Sequence, residues 1–350
     1  MKIVQLMATA GGIGGLEQHT FNLTNALAQH HDVTVIAHES YKSCFSAQVQ
    51  FCALDFSKSR FSPILLWQLV QLIKKVQPQI IHAQAGKASS LLKNIKPFIG
   101  DIKCVTTVHG TKKDKSPYLV GDAIIAVSKG LSEYLPPEKT HVIYNGVARH
   151  LPLDISEQVA LKQQVYKAHP QLHPNKKTVI CIGRLEAVKN ISLLLKAFQK
   201  LDANLWIVGS GSEREQLEQL AQKLNIKKQV AFLGFRKDAR DLLQLADVVA
   251  LSSDREGFPL VMVEALQAEK RMVSTQVNGV SEWLPSCCLV PIQNEHALHH
   301  ALKMALEQKE LDNLFIPLYR KAQQELTVNA MMRKTEQVYQ NLLSSKTDRI

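Results

Sequence analysis

The sequence contains no long apolar run. Its 350 residues are 45% hydrophobic and 21% charged, with a mean hydropathy of −0.08, which is the balance of a globular protein. No stretch approaches the roughly 20 apolar residues of a membrane-spanning helix. The N-terminal MKIVQLMATAGG carries one lysine and an Ala-Thr-Ala that mimics a signal-cleavage site. Because it leads through glycines into a helical pattern, we interpret it as a first β-strand and expect a cytoplasmic protein.

Metal-ligand spacing is also missing. The six cysteines are Cys44, Cys52, Cys104, Cys181, Cys287 and Cys288. Two of them, Cys104 and Cys181, lie in apolar stretches, and the last two are adjacent, so we expect reduced thiols in the protein interior. The 13 histidines form no recognisable ligand cluster. The sequence therefore predicts no structural zinc site.

Acidic residues are absent between Phe56 and Gly100. From Lys58 to Lys115 the sequence has eleven basic residues and two acidic ones, a local charge of +9 within a total of +11. Such a field favours an anionic partner, which the charge alone leaves open between phosphate-bearing lipid, nucleic acid and an acidic membrane. A merely solvated basic surface is the alternative. Few aromatics are interleaved with this charge and no recognition motif is present, so we expect no nucleic-acid partner.

The stretch FSPILLWQLVQLIKKV lies inside this basic segment. Leu65, Leu69, Leu72 and Ile73 fit the buried stripe of a helix. Trp67, Lys74 and Lys75 fall on the other face, where a membrane surface is one interpretation and ordinary solvent exposure is the other.

Short apolar stretches alternate with helical patterns along the chain, which predicts two α/β domains with parallel sheets covered on both faces. The predicted domains span residues 1–150 and 151–328, and a polar stretch with Pro152, Pro170 and Pro174 separates the two patterns. The last 55 or so residues are helical, and we expect the final SSKTDRI to be frayed. The predicted strands are 2–7, 33–37, 49–54, 79–83, 103–109, 122–127, 141–146, 177–183, 204–209, 229–234, 247–253 and 271–275. Two such doubly wound domains bind ligands beyond the carboxyl ends of their strands, in a cleft between them.

The first strand-to-helix loop is rich in glycine. Gly11, Gly12, Gly14 and Gly15 precede a helix that starts near Leu16. Small residues let an anion approach the backbone N–H groups at a helix N-terminus, while a tight turn without a ligand is the alternative. The pattern is not the dinucleotide G-x-G-x-x-G, which argues against a nicotinamide enzyme.

Several other loops carry candidate side chains. In GRLEAVKN, Arg184 and Lys189 are placed to clamp a diphosphate, although helix starts carry such charges routinely. VGSGSE, with Gly209, is equally consistent with a turn and with a ligand-facing loop. His109 ends an apolar strand in TTVHGT, so its ring can project from the sheet edge toward a ligand, while a structural histidine is the alternative. His82 and Gln84 in IIHAQAGK are placed similarly at a sheet edge, with weaker support.

The most informative stretch is DREGFPLVMVEALQA, in which seven residues separate Glu256 from Glu264. Pro259 suits the first position of a helix, after a turn at Gly257 and Phe258. Most of this helix is apolar, so a solvated face does not explain its carboxylate. The two acids favour hydroxyl groups at two ends of one ligand, such as a sugar and a ribose.

These stretches, taken in order, resemble the family-4 retaining glycosyltransferases, which have the two-domain glycosyltransferase B-type fold. The resemblance runs through GGLEQH, VHG, VIYNGV, GRL…VKN, IVGSG, FLGF, SSDREGFPLVMVEAL and NGVSEWL, and covers nearly the whole chain. It implies that the last helix, residues 329–345, crosses back onto the first domain. It also implies a nucleotide-sugar donor.

Roles carried over from the family fall on matching residues. Glu256 would face the transferred sugar, Glu264 the ribose, and His109 the donor sugar. Arg184 and Lys189 would neutralise the diphosphate with help from the Gly14-Gly15 backbone, and the Phe235-Arg236 backbone would meet the base. Gly209, Gly257, Phe258, Pro259 and Leu260 would complete the donor pocket, and Asn145 with Gly146 would belong to the interdomain region.

The resemblance further implies retention of anomeric configuration without a metal or other cofactor, with positive groups stabilising the leaving diphosphate. We expect UDP as the nucleotide on family frequency alone, with GDP and ADP open. The resemblance, together with the basic segment, indicates a lipid-linked or lipopolysaccharide acceptor at the cytoplasmic face of an anionic inner membrane. The alternatives are a nucleotide-sugar epimerase or glucan synthase on the same fold, and a non-catalytic protein that binds membrane surfaces. The sugar, the acceptor, the linkage and the oligomeric state are not encoded in any pattern that we identify.

Overall fold

A computed structural model describes residues 1–111 and 113–344. Lys112, which belongs to the basic segment, and residues 345–350, which hold most of the tail predicted to fray and the last residue of the predicted final helix, lie outside the described residues. The chain divides into two compact units. Unit 1 comprises Met1–Ala148 with Glu325–Ile350, and unit 2 comprises Arg149–Gln324.

Unit 1 is built on a seven-stranded sheet in which every neighbouring pair is parallel, in the order β3-β2-β1-β4-β5-β6-β7. Its strands and helices before the unit boundary are β1 (Lys2–Met7), α1 (Gly15–Leu27), β2 (Asp32–Ala37), β3 (Gln50–Ala53), α2 (Pro63–Val76), β4 (Ile80–Gln84), α3 (Ala85–Ile95), β5 (Lys103–Val108), β6 (Ala123–Ala126), α4 (Lys129–Ser132) and β7 (Thr140–Val142). The strand order reverses between β1 and β4, which is where such sheets bind ligands.

Unit 2 repeats this design with a six-stranded parallel sheet in the order β10-β9-β8-β11-β12-β13. Its elements are α5 (Ile155–Ala168), β8 (Thr178–Ile182), α6 (Ile191–Ala197), β9 (Asn204–Val208), α7 (Arg214–Lys223), β10 (Val230–Gly234), α8 (Ala239–Leu245), β11 (Val248–Leu251), α9 (Leu260–Gln267), β12 (Arg271–Thr275), β13 (Leu289–Val290), α10 (Glu295–Glu307) and α11 (Asp312–Glu325). Here the order reverses between β8 and β11. The prediction of two parallel-sheet α/β domains is confirmed.

The final helix, α12 (Val328–Ser344), belongs to unit 1, as predicted. Met331, Val338 and Tyr339 are buried in the same apolar cluster as residues of α1 and β2. The chain enters this helix beside Gly146, where an added Cβ would lie 2.2 Å from the carbonyl oxygen of Thr327. The Gly146 of VIYNGV is therefore required by a close approach of two backbone segments.

The first helix of unit 2 was missed by the sequence analysis. The polar stretch after Pro152 was interpreted as a loose separator, but residues Ile155–Ala168 form α5. Its start is a capping box, in which Asp154 Oδ1 accepts from Glu157 N at 2.8 Å and Glu157 Oε2 accepts from Asp154 N at 2.9 Å. Only Val165 of this helix is buried, so the apolar periodicity that marks an amphipathic helix is weak. The Asp-x-x-Glu spacing was the available signal.

Candidate active site

In unit 2, the loops after β8 and β11 meet at the point where the strand order reverses. Asn190 Nδ2 donates to Asp254 Oδ1 at 2.8 Å, and Ser252 Oγ donates to the Lys189 carbonyl oxygen at 2.9 Å. These bonds tie the two loops together. Lys189 Nζ consequently lies 2.6 Å from Glu256 Oε1, a charge-assisted hydrogen bond.

Glu256 is held from a second side. Ser253 is fully buried and its Oγ donates to Glu256 Oε1 at 2.7 Å. Both contacts fall on Oε1, so Oε2 carries neither of them. The side chains of Lys189 and Glu256 are 23% and 13% exposed. The pair is therefore mostly buried but still reachable from solvent.

Arg184 lies on the same loop as Lys189 but is far more open. Its Nη1 donates to Glu186 Oε1 at 2.8 Å, and its side chain is 61% exposed. An exposed ion pair of this kind contributes only about 0–1 kcal/mol. Arg184 can therefore leave Glu186 for a stronger anion at little cost.

The glycines of VGSGSE have a structural explanation. Gly209 has a φ of +139°, and a Cβ there would lie 1.8 Å from the carbonyl oxygen of Gly183. A Cβ at Gly211 would lie 2.2 Å from the carbonyl oxygen of Leu185. The loop after β9 thus packs directly on the backbone of the Arg184 loop, which helps to fix that loop in place.

Glu264 lies midway along α9 and faces Arg240 of α8 at 3.8 Å. The distance is that of an ion pair and is too long for a hydrogen bond. The carboxylate oxygens of Glu264 can therefore accept hydrogen bonds from hydroxyl groups beside this ion pair. Burial raises the pKa of Glu264, and the nearby Arg240 and His150 act in the opposite direction. His150 is itself fixed by Asp241, whose Oδ1 lies 2.6 Å from His150 Nε2.

The turn before α9 corrects one prediction. Pro259 has a ψ of 124° and is the N-cap of α9, which begins at Leu260. It was predicted at the first helical position, and its extended backbone is the reason that it lies one residue before it. Phe258 is buried and packs on Gly279, where a Cβ would lie 2.6 Å from the Phe258 ring. Gly257 and Pro259 are also buried, and Leu260 is half-buried.

The loop after β10 holds Phe235 and Arg236. Phe235 is 74% exposed. Arg236 forms a bidentate pair with Asp238, with distances of 2.7 Å from Nε to Oδ1 and 2.5 Å from Nη2 to Oδ2. The side chain of Arg236 is thus paired within its own loop.

In unit 1, the glycine loop ends at the N-terminus of α1. Gly14 is the N-cap, and its N–H donates to Glu17 Oε2 at 2.9 Å. A carboxylate of the protein therefore already occupies part of the region where an anion was predicted to bind. Gly15, Gly11 and Gly12 are exposed, and an added Cβ at Gly11 or Gly12 meets nothing within 4 Å.

Beside this loop, the ends of β4 and β5 carry neutral side chains. His109 Nε2 lies 2.9 Å from Gln84 Oε1, and the His109 ring is edge-on to His19, with centroids 4.6 Å apart. Burial is the main cause that holds the pKa of His109 well below its ordinary value of 6.5, and the neighbouring His19 and His82 lower it further. His82 is not at the sheet edge as predicted: it is fully buried, and burial lowers its pKa to about 3.

Two side chains that the sequence analysis did not single out complete the site of unit 2. Ser253 precedes Glu256 by three residues, a spacing that lets a short side chain turn back to a carboxylate. Arg240 precedes Glu264 by 24 residues and meets it only because the fold brings these two positions of α8 and α9 together. No local sequence pattern predicts the contact between Arg240 and Glu264.

Two absences concern only the part of the chain that the structure describes. No three or more His, Cys, Asp or Glu side chains among residues 1–111 and 113–344 are grouped as metal ligands. Within the same residues, no helix combines the length and apolar character that crossing a membrane requires.

Comparison with known proteins gives a consistent result. Residues 162–321 match the family model Glycosyl transferases group 1, and residues 13–150 match the model Glycosyltransferase Family 4. An uncharacterized glycosyltransferase of Methanocaldococcus jannaschii is 32% identical over 311 residues, which cover 77% of this chain and 78% of that protein.

A second relative is the GalNAc-alpha-(1->4)-GalNAc-alpha-(1->3)-diNAcBac-PP-undecaprenol alpha-1,4-N-acetyl-D-galactosaminyltransferase of Campylobacter jejuni. It is 27% identical over 345 residues, covering 89% of this chain and 92% of the relative. The crystal structure of Anabaena HepE in complex with UDP-glucose has a TM-score of 0.81 and 22% identity, covering 98% of this chain and 100% of that one. The structural match shows the shared glycosyltransferase fold. With the two family models and the archaeal relative, it establishes that this chain belongs to the family-4 glycosyltransferases and is a glycosyltransferase.

Proposed function

We propose that this enzyme transfers a hexose-type sugar from a nucleotide-sugar donor, with UDP as the first choice of nucleotide, to a lipid-linked or lipopolysaccharide glycan. The observation that carries the donor side is the Lys189–Glu256 pair, joined at 2.6 Å where the strand order of unit 2 reverses. A diphosphate requires a cation there, and a sugar requires an acceptor of hydroxyl hydrogens. This pair offers both from one mostly buried position.

Lys189 and Glu256 would act together on the donor. An ammonium group has three N–H donors, so Lys189 can keep its bond to Glu256 and still donate to a phosphate oxygen. Glu256 Oε2, which is free of the Lys189 and Ser253 contacts, would accept from the sugar and offset positive charge that develops at its reacting carbon. Glu264, whose Oε1 lies 3.8 Å from Arg240 Nε, would accept from the ribose hydroxyls.

Arg184 and Lys189 would stabilise the departing diphosphate as its negative charge grows, which lowers the barrier to transfer. We propose that they do so without a metal ion and that the anomeric configuration is retained. The acceptor would attack from the face that the nucleotide leaves, with a leaving phosphate oxygen taking its proton. An inverted linkage in the product formed from an α-linked donor would contradict this mechanism.

The acceptor proposal rests on a relative and on the surface of unit 1. The Campylobacter relative is named for an acceptor glycan that is linked to PP-undecaprenol. In unit 1, Phe61, Ile64 and Trp67 are exposed large apolar side chains, beside the exposed Lys74 and Lys75. We define these five residues as the α2 surface. It would hold the enzyme on the cytoplasmic face of an anionic membrane while it acts on a lipid-linked glycan.

The first test is calorimetric titration of the protein with UDP, GDP and ADP and with their glucose, galactose and N-acetylhexosamine forms, each with and without EDTA. We expect one nucleotide to bind selectively, with equal affinity in both conditions. Glu264→Ala should weaken that binding by about tenfold or more, because a buried hydroxyl-accepting carboxylate is lost. Glu218→Ala is the matched control, since Glu218 also pairs with an arginine on a helix but lies on α7.

A product assay then tests the acceptor, with a short undecaprenyl-diphosphate oligosaccharide and the donor that binds. Transfer to this acceptor supports the proposal. An epimerised nucleotide sugar made without acceptor, or extension of a glucan primer alone, would instead support one of the alternative enzymes on this fold. Failure of every nucleotide to bind would contradict the donor assignment of unit 2.

A further inference from the structure

A continuous chain of hydrogen bonds runs under the ligand-facing edge of unit 1. It starts at His109, passes through Gln84 and Gln5, and reaches Tyr339 of α12. The successive distances are 2.9 Å, 3.0 Å and 3.1 Å. The final helix therefore connects through buried side chains to the residue at the end of β5.

The donors and acceptors along this chain are mutually consistent. Gln84 Nε2 donates to Gln5 Oε1, and Gln5 Nε2 donates to Tyr339 Oη. The hydroxyl hydrogen of Tyr339 is then free to bond His82 Nδ1 at 2.6 Å, and His82 Nε2 bonds Thr107 Oγ1 at 2.5 Å. With the amide nitrogen of Gln84 committed to Gln5, its oxygen is the group that faces His109. An oxygen accepts, so this orientation of the amide requires the proton on Nε2 of His109.

The backbone around Gln84 adopts an uncommon conformation. Gln84 is the N-cap of α3, yet its side chain makes no capping hydrogen bond to that helix. The next residue, Ala85, has a φ of +63°, a left-handed conformation that is strained for a residue with a Cβ. The chain thus turns directly from β4 into α3, and the amide of Gln84 stays in the network between Gln5 and His109.

We propose that Gln84 is a positioning residue for His109: it holds the imidazole ring with the proton on Nε2, so that Nδ1 is presented as an acceptor to a donor-sugar hydroxyl. This inference rests on the proposed function, together with the family resemblance, which implies that His109 contacts the donor sugar. Gln5 and Tyr339 act one and two steps further back, because they hold the amide of Gln84 in this orientation.

The surroundings keep His109 neutral. The titratable groups that face it are His19 from α1 and His82 from β4, and both have a lowered pKa because they are buried. The hydrogen-bond partner of His109 Nε2 is the neutral amide of Gln84, which does not strongly stabilise the charged imidazolium form. A carboxylate at the same position would favour the charged ring.

The substitution Gln84→Glu tests the contact directly. It keeps the size and the accepting oxygen but adds a negative charge 2.9 Å from Nε2. We expect nitrogen-15 NMR of the histidine rings to show Nε2–H for His109 in the wild type, and a His109 pKa that is raised in Gln84→Glu. Gln79→Glu is the matched control, since it is the same change at the opposite end of β4, and it should leave His109 unchanged. A proton on Nδ1 in the wild type, or no pKa difference between the two variants, would overturn the proposal.

Catalytic coupling is tested with Gln84→Met, which removes the accepting oxygen at similar size. We expect about a tenfold loss of sugar transfer, because a small misplacement of a reacting group is costly. In a His109→Gln background the same change should cost nothing further. An equal loss in both backgrounds would mean that Gln84 acts on the fold and not through His109. The NMR titration needs no donor, so failure of the proposed transfer reaction would be recognised separately, as a wild type without transfer.

Discussion

The carboxyl edges of the two sheets share a topology but differ in chemistry. In unit 2, the loops at the reversal point bring a lysine and a glutamate to 2.6 Å, with an exposed arginine on the same loop. In unit 1, the ends of β4 and β5 beside the reversal point carry Gln84 and His109, which are neutral and joined to a buried network. One edge is built from charges that solvent can reach, and the other from amides and imidazoles.

This difference is consistent with the proposed function. A leaving diphosphate requires positive charge where its own charge grows, and the edge of unit 2 would supply it. Sugar hydroxyl groups are neutral and directional, and the oriented donors and acceptors at the edge of unit 1 would match such groups with little charge. The carboxylate of Glu17 at the start of α1 fits this reading, because it satisfies a backbone N–H that would otherwise attract an anion.

The largest effect on activity is expected for Lys189→Met, which removes a charge at the edge of unit 2. We expect kcat/KM to fall by about 10²- to 10³-fold, since a charge that stabilises the leaving group is removed, whereas His109→Gln should cost less. Lys223→Met, an exposed lysine of α7, is the control and should have no effect. Thermal unfolding of each variant separates lost catalysis from lost folding, because Glu256 would be left without its cation. A larger loss in His109→Gln than in Lys189→Met would reverse the proposed roles of the two edges.

A second prediction concerns the stability of unit 1 at low pH. Burial lowers the pKa of His19 to about 4, with Asn145 opposing this, and that of His82 to about 3, below the ordinary value of 6.5. The unfolded chain therefore binds more protons than unit 1 below pH 6.5. The stability of unit 1 should be intact above pH 6.5 and should fall as the pH drops toward 4, on the order of 1 kcal/mol per pH unit for each histidine.

Hydrogen exchange measured by mass spectrometry at several pH values, corrected for intrinsic rates, resolves this effect by peptide. Peptides from β4 and β5 should lose protection faster with falling pH than those from β8 and β9. His82→Gln should reduce the slope by about one proton, whatever it does to stability at pH 7. An opening free energy in unit 1 that is flat between pH 7 and 5 would contradict the lowered pKa values.

The sequence predicts the loops of the site well but not the contacts within them. Glu256, Lys189 and His109 were identifiable because they follow apolar strands, and parallel strands end at one edge of a sheet. The contact of Arg240 with Glu264 depends on where the fold places two helices, and that of Gln84 with Gln5 on which strands are neighbours. Neither follows from residue spacing. The same limit explains α5, whose single buried side chain leaves little apolar periodicity to detect.

The smallest expected effect concerns the outer surface of unit 1, where positive charge lies away from the strand ends. Trp67 is 64% exposed on α2, while Leu65, Leu69 and Ile73 on the opposite side are fully buried. If the α2 surface meets a membrane, binding to vesicles with 30% anionic lipid should weaken as salt is added. Lysines near such a surface contribute about 1 kcal/mol each, so Lys74→Ser with Lys75→Ser should weaken vesicle binding by about thirtyfold at low salt.

The chain offers a matched control for this last test. Lys227 and Lys228 are also adjacent and exposed, but they lie in unit 2, so replacing both by serine changes the net charge equally. If the basic charge acts only through the total charge of the protein, the two double variants should lose vesicle binding alike. A loss confined to the Lys74 and Lys75 variant would assign the lipid-binding surface to unit 1. Equal losses in the two double variants, or binding that is insensitive to salt, would contradict a membrane role for the α2 surface. The two units would then differ only in the chemistry of their sheet edges.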